Sequence, residues 1–352
     1  ADKYVLGLVK SVDPTRLPID CAHGSGYRTL TAFFKELGLS DVTSKIDWIH
    51  TEERPDFGNI GKCIENPKSG KRELFDYGAD VTQVNEKKLP SGKIIKDFPV
   101  LCTADYPQRF AAMPIGDIIL HTDMDNDRLA ASQILPNDAK TRSLLDSLGI
   151  VYNVINSEKI VAVFIPNKFF HFLHQMNFER LTALMEEGKV DKNRKMVVLK
   201  TLASTPSVDT WAKKRQEEGY EIEVINTGVG FAKLANVMYR AEGEKKKNPG
   251  KNIMITDASG KDINIGPDPI ILAAWEESGG IITGITYGFS DILGNPFLAE
   301  REKSATESIF LAIALISKLQ HSKDGADLTA YLKMLYDRDN IDTPIDIRFD
   351  NK

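Results

Sequence analysis

Ile118-Ile119-Leu120-His121-Thr122-Asp123-Met124-Asp125-Asn126-Asp127-Arg128 begins as an apolar run and breaks into three carboxylates at alternating positions. The first residues have the β-branched, apolar character of a buried strand, and the acids that follow have that of a turn. A strand that empties into a loop of polar side chains is how open α/β sheets present ligand groups, outside the carboxyl ends of their strands. A tight loop can turn three carboxylates onto one hard cation, and oxygen ligands of this kind suit magnesium. A solvated acidic turn or a calcium loop uses the same residue types. An EF-hand is not indicated, since Asn126 to Ala130 contains no glycine and Ile134 falls where the bidentate glutamate should be.

Working outward, strands continue to alternate with helices. Arg16 to Cys21 is a short apolar-leaning run ending in His23-Gly24-Ser25-Gly26, after which Leu30, Phe33, Phe34 and Leu37 recur at helical spacing before Gly38. Ile118 opens a second such unit. A third runs from Met196-Val197-Val198-Leu199 through Pro206, which a first helical turn accepts, to Trp211 and Gly219, and Glu221 to Ile225 resumes as a strand. This alternation predicts an α/β fold: two successive mixed, mostly parallel α/β domains. Residues 66–112 have little periodicity and read as an insertion on the first domain, and Pro136 to Leu148 as another that carries a short helix. Glu242 to Lys251 reads as a polar loop, with Lys245-Lys246-Lys247 a solvated turn. The last helix, with Ile309, Leu311, Ala312, Ile313, Leu315, Ile316 and Leu319, is apolar nearly all round and should be buried.

Composition narrows the function classes. A chain of 352 residues exceeds one usual core, so two domains are expected, at 1–160 and 161–330, with 331–352 as a carboxyl-terminal extension. Charged residues at 27% and hydrophobic ones at 42% give a globular balance, and a net charge of -5 gives no electrostatic footprint for nucleic acid. Cys21, Cys63 and Cys102 form no CxxC pair and are odd in number, which suggests neither a zinc site nor a disulfide framework and fits a cytoplasmic setting. No run of 18 apolar residues and no leader pattern is present, so no membrane association is expected. The chain starts Ala1-Asp2-Lys3, as an excised piece would, or a protein that has lost its methionine.

Two further segments carry chemistry. Trp275-Glu276-Glu277-Ser278-Gly279-Gly280 follows the apolar run Ile270 to Ala274 and places carboxylate and hydroxyl groups on a glycine-flexible loop, a set that can bind vicinal sugar hydroxyls. A helix end with a glycine stop gives the same residues. Thr227-Gly228-Val229-Gly230-Phe231-Ala232-Lys233 lies between a strand and a helix, where glycine backbone N–H groups can approach an anion and Lys233 adds charge; a simple tight turn is the alternative. His171 and His174 sit three apart without an HExxH-type glutamate and read as helix-surface or core residues. His23 reads as structural in its glycine turn, and Trp48 and Trp211 as core.

In order along the chain, Asp20-Cys21-Ala22-His23-Gly24-Ser25-Gly26, Pro55-Asp56-Phe57-Gly58-Asn59 with Asn66-Pro67, the Asp-x-Asp-x-Asp-Arg loop, Thr-Gly-Val-Gly-Phe and Glu-Glu-Ser-Gly-Gly resemble the phosphohexomutase superfamily, the phosphoglucomutase/phosphomannomutase type, over about residues 16 to 320. The resemblance implies a four-domain isomerase that interconverts hexose 1- and 6-phosphates through a bisphosphorylated sugar, of which this chain carries the two central domains. By that similarity Asp123, Asp125 and Asp127 bind Mg2+, and Arg128 is catalytic beside the phosphoryl group. Glu276 and Ser278 hold sugar hydroxyls, and Thr227, Gly228, Gly230 and Lys233 lie near the phosphorylated hexose. The family's Thr-x-Ser-His-Asn-Pro phosphoserine loop and Arg-x-Ser-Gly-Thr phosphate loop have no counterpart here, so this chain alone is expected to be inactive. Met124 and Asn126 replace the usual small residues between the aspartates, Trp275 stands where glycine is common, and the family lysine often falls one position before Lys233. The alternatives are a non-catalytic phosphosugar- or metal-binding relative that serves as sensor or subunit, and an unrelated metal-dependent phosphatase.

Overall fold

The computed structural model describes residues 3–54, 106–282, 303–322, 325 and 327–342, together with the backbone course of Cys63–Glu65, Arg72–Leu74, Asn85–Lys88 and Ile94–Asp97. Packing divides the chain into two compact units: residues 13–126 with 130–165, and residues 1–12 and 127–129 with 166–352. Pro55 to Asn59, Asn66-Pro67 and Cys102 lie outside the described residues.

The chain opens with α1 (Lys3–Ser11), which packs on a late helix of the second unit. In the first unit follow β1 (Ile19–Asp20), α2 (Gly26–Glu36), α3 (Ser40–Thr43) and β2 (Trp48–Ile49). β3 (Cys63–Glu65) comes just before the stretch read as an insertion, 66–112, and pairs antiparallel with β4 (Arg72–Leu74) inside it; the stretch also carries the antiparallel pair β5 (Asn85–Lys88) and β6 (Ile94–Asp97), then α4 (Tyr106–Ala112). The rest of the unit is β7 (Ile118–Thr122), β8 (Leu129–Pro136), α5 (Ala139–Ser147), β9 (Val151–Val154) and β10 (Lys159–Phe164). Its six-stranded sheet has the order β2-β1-β7-β8-β10-β9. β1 runs parallel to β2 and to β7, whereas β10 runs antiparallel to β8 and β9.

All residues of β7 are buried, as the near-continuous apolar run of a strand covered on both faces requires. One difference from the sequence reading lies just beyond it: β7 is followed by a strand, β8, and not by a helix. The run Leu129-Ala130-Ala131-Ser132-Gln133-Ile134-Leu135 is apolar enough to be wholly buried, and Asn126 in the left-handed region (φ 59°) helps turn the chain back. Ile49, Phe110, Met113, Ile119, Ile134 and Val161 form a core of this unit. Cys21 is buried there, and burial pushes its thiol pKa up.

The second unit contains α6 (Pro166–Glu186), β11 (Met196–Thr201), α7 (Ser207–Glu217), β12 (Ile222–Thr227), α8 (Phe231–Lys247), the hairpin β13 (Met254–Thr256) and β14 (Asp262–Asn264), β15 (Ile270–Trp275), β16 (Ile281–Ile282), α9 (Ala305–Gln320) and α10 (Leu328–Asp339). Its sheet has the order β12-β11-β15-β16, with β11 parallel to β12 and β15, and β16 antiparallel to β15. Register places Thr201 opposite Thr227 and Lys200 opposite Trp275, so three strand ends finish level and release their loops at one edge. α9 is buried on nearly all sides, as its apolar sequence demands. The lysines of 245–247 form the last turn of α8 rather than a loop; cations there complement the helix dipole, and Lys245 also pairs with Asp268. Among the described residues no helix is long and apolar enough to cross a membrane.

Candidate active site

The aspartate loop grows from a polar cluster at the end of β1 and β7. Asp20, only 2% exposed, accepts hydrogen bonds from the Ala22 N–H at 2.8 Å and from His50 Nδ1 at 3.0 Å, and lies 3.8 Å from His121 Nδ1. Burial works to raise its pKa, but the bonds and charges of His121 and His50 together hold it below the ordinary carboxylate value. The other ring nitrogen of His121 meets Ser132 Oγ at 2.5 Å, which ties β7 to β8 beneath the loop. Two residues later the chain turns, the Asn126 N–H donating to the Asp123 carbonyl at 3.2 Å.

One carboxylate oxygen from each of Asp123, Asp125 and Asp127 lies within 4.8 Å of the others; Asp125 is exposed and the outer two are half-buried. Ligands around octahedral magnesium at about 2.1 Å stand roughly 3 to 4.2 Å apart, so small side-chain rotations close the set. An all-oxygen, triply anionic set of this reach fits a hard divalent cation.

The glutamate loop is shaped by its own backbone. β15 ends in the fully buried Trp275, and the chain reverses into β16 through hydrogen bonds from the Glu276 N–H to the Gly280 carbonyl (3.0 Å) and from the Gly279 N–H to the Glu276 carbonyl (3.2 Å). It is therefore a turn between strands and not a helix end. Ser278 Oγ donates to Glu276 Oε1 at 2.6 Å, and Thr201 Oγ1 donates to Glu277 Oε2 at 2.6 Å, so the adjacent carboxylates are fixed in different directions. Gly280 permits a crowded approach: a Cβ there would stand 2.6 Å from Lys303 Cδ, 3.1 Å from Glu276 Oε1 and 3.3 Å from the Phe231 ring.

Asp127, Arg128 and Leu129 belong to the same unit as this loop and meet it directly. The Leu129 N–H donates to the Gly279 carbonyl at 3.1 Å, and Arg128 forms an antiparallel bridge with Gly280. Arg128 Nε lies 3.6 Å from Asp127 Oδ1. Lys303 Nζ stands 2.9 Å from Asp127 Oδ2 and 3.7 Å from Glu276 Oε1, so one ammonium serves a carboxylate from each loop. The sequence reading did not include Lys303, which arrives just before Ser304 at the start of α9 with no local motif around it.

Thr227, Gly228, Gly230 and Lys233 form a group of their own at the end of β12 and the start of α8. The Thr227 hydroxyl faces main-chain carbonyls, Gly228 O at 3.1 Å and Lys200 O at 3.3 Å. Gly230 takes a positive φ of 107° at the helix entry, while Lys233 is exposed in the first turn with its stem near Gly228. Phe231, between them, borders the glutamate loop at Gly280.

No family model matches the chain, and no curated protein matches it. Solved structures of the α-D-phosphohexomutase superfamily are similar to it. An N-acetylglucosamine-phosphate mutase in a substrate complex shares 14% identity over 91% of this chain and 48% of its own, with a TM-score of 0.45. The same kind of enzyme in its apo form gives 12%, 97%, 55% and 0.38. An N-acetylphosphoglucosamine mutase of Aspergillus fumigatus, in complex with glucose 1,6-bisphosphate, gives 13%, 96%, 46% and 0.36. The chain spans about half the length of these structures.

Proposed function

We propose that the chain is the central, metal- and sugar-binding part of a cytoplasmic phosphosugar mutase, an isomerase that moves a phosphoryl group between the 1- and 6-oxygens of a hexose. The observation that carries the reading is the Lys303 ammonium, which reaches Asp127 of the aspartate loop and Glu276 of the glutamate loop at once. Phosphoryl transfer depends on positioning and charge stabilisation more than on covalent chemistry by the protein, so the groups that hold charge and those that hold the sugar must be adjacent. Here they share a cation and a main-chain bridge.

Asp123, Asp125 and Asp127 would hold magnesium, which supplies positive charge that polarises a phosphoryl oxygen. Arg128 is placed to stabilise charge on the equatorial phosphoryl oxygens, and Lys303 to orient Glu276. Glu276 accepts from a sugar hydroxyl while Ser278 can turn its hydroxyl from Glu276 to a second one, a pattern selective for vicinal hydroxyls. Thr227 to Lys233 offer glycine main chain and a lysine to the sugar phosphate from the neighbouring strand end.

Calorimetric titration with glucose 1,6-bisphosphate in the presence of Mg2+ tests the reading. Binding is expected, with affinity lowered about tenfold or more by Glu276→Gln, because a buried hydrogen-bonded carboxylate is replaced where the sugar is recognised. Absence of binding by the parent chain, or indifference to Glu276→Gln, refutes it.

A further inference from the structure

The aspartate loop rests on a turn about a hundred residues earlier in the chain. Ser25 N–H donates to the Met124 carbonyl at 3.0 Å. A Cβ on Gly24 would fall 1.9 Å from Met124 O and 2.5 Å from Met124 C and Cα, all backbone atoms that no rotamer change can move aside. A Cβ on Gly26 would fall 2.8 Å from Thr122 Oγ1 and 3.3 Å from Asn126 Oδ1, which are side-chain atoms. The turn and the loop therefore pack main chain against main chain.

The turn is itself held from several sides. Ala22 and His23 both occupy the left-handed region, with φ of 50° and 55°, a conformation that costs non-glycine residues energy and persists where surroundings fix it. The Ala22 N–H is bound by the Asp20 carboxylate at 2.8 Å and the Gly24 N–H by the Cys21 carbonyl at 2.8 Å. The His23 N–H donates to His50 O and the His23 carbonyl accepts from Arg54 N–H, each at 3.0 Å, while His23 Nδ1 meets Glu52 O at 3.0 Å.

We infer that the Ala22–Gly26 turn is a rigid seat that sets the conformation of the aspartate loop, and that Gly24 is a positioning residue for cation binding. The inference rests on the metal reading given above. Gly24 touches no ligand atom; it acts through Met124, which lies between two of the aspartates. Partners that orient ligands in this way change metal affinity by about 10- to 100-fold when altered.

Two readouts separate the seat from the metal reading: Mn2+ affinity, by the loss of free-ion electron paramagnetic resonance signal, and amide exchange of the 122–127 segment by mass spectrometry. Gly24→Ala is expected to lower Mn2+ affinity about tenfold or more and to speed exchange in that segment. Gly243→Ala in α8, where a Cβ meets nothing within 4 Å, should change neither. Ser25→Pro removes the N–H donated to Met124 at a φ of −76° that proline accepts, and carries the test if Gly24→Ala does not fold. A folded variant with parental Mn2+ affinity and parental exchange overturns the seat and leaves the metal reading standing. A parental chain that binds no Mn2+, with faster exchange in the variants, overturns the metal reading and leaves the seat standing.

Discussion

A buried histidine lies under each of the two chemistry-bearing loops, but the two are held by different forces. His121, two residues before the first aspartate, is bound to Ser132 and neighbours Asp20, which also takes His50, so the base of the aspartate loop is organised around a carboxylate. His174 stacks on Trp275, the residue before Glu276, with ring centroids 5.1 Å apart and planes 18° from parallel. It also lies edge-on to Trp211 at 4.5 Å and beside His171 at 4.6 Å, so the base of the glutamate loop is organised by rings. Burial lowers the pKa of both α6 histidines, His171 to about 3 and His174 well below its ordinary value. A carboxylate anchor tolerates acid down to its own depressed pKa. Neutral stacked imidazoles resist protonation, and that resistance is lost as free energy when pH falls.

The largest effect that would break this contrast concerns a charge pair on the ring-lined side. Arg215 Nη2 is bound to Asp339, both side chains are nearly inaccessible, and Arg338 Nε also donates to Asp339, at 2.8 Å. Asp339→Ala should cost about 3 kcal/mol in urea unfolding, since it leaves the buried guanidinium only the more exposed Glu218, 3.2 Å from Nη2, and the pair Arg215→Met with Asp339→Leu should recover most of it. A loss under about 1 kcal/mol would mean that the rings need no ionic support.

The second effect is pH. The α6 histidines have folded pKa values below the unfolded 6.5, so the unfolded state binds more protons in that window and stability is full above pH 6.5. Below it, each should subtract about 1.4 kcal/mol per pH unit as pH falls towards the folded value. Asp20, with its pKa lowered, contributes stability above about 3.9 that fades only below it. Between pH 6.5 and 5, urea midpoints should therefore fall, and His171→Phe should flatten the slope by one histidine's share. An unchanged slope in that variant would remove His171 from the account.

The smallest effect sharpens the other side. Asp20→Asn keeps an acceptor for the Ala22 N–H and for His50 but removes the charge, so a cost of about 1 kcal/mol in urea unfolding is expected, the difference between charge-assisted and neutral hydrogen bonds. A cost matching that of Asp339→Ala would place the two clusters in one class.

The sequence made the aspartate loop legible because its donors alternate within five residues, and a turn that short has few ways to spread them. The strand ahead of it was equally legible, whereas the return into β8 was not, since a buried apolar run reads alike in strand and helix. The Lys245-Lys246-Lys247 run shows the same limit at a helix end, where charge suits solvent and dipole equally. Lys303 could not be read, because its meaning depends on Asp127 and Glu276, which lie far away along the chain. His171 and His174 gave only residue types; their burial among Trp211, Trp275 and Tyr336 is a property of α6 meeting β15, α7 and α10. Gly24 was visible as part of a turn, but what it makes room for is Met124.

Asp127, Arg128 and Leu129 lie in the middle of the first stretch of chain yet pack with Gly279, Gly280 and Lys303 of the second. Cutting the gene near residue 160 would thus separate three residues from the surface that completes them. The Leu129 N–H would lose the Gly279 carbonyl, Arg128 its bridge to Gly280 and Asp127 its lysine, so a break that falls in neither loop would be felt in both.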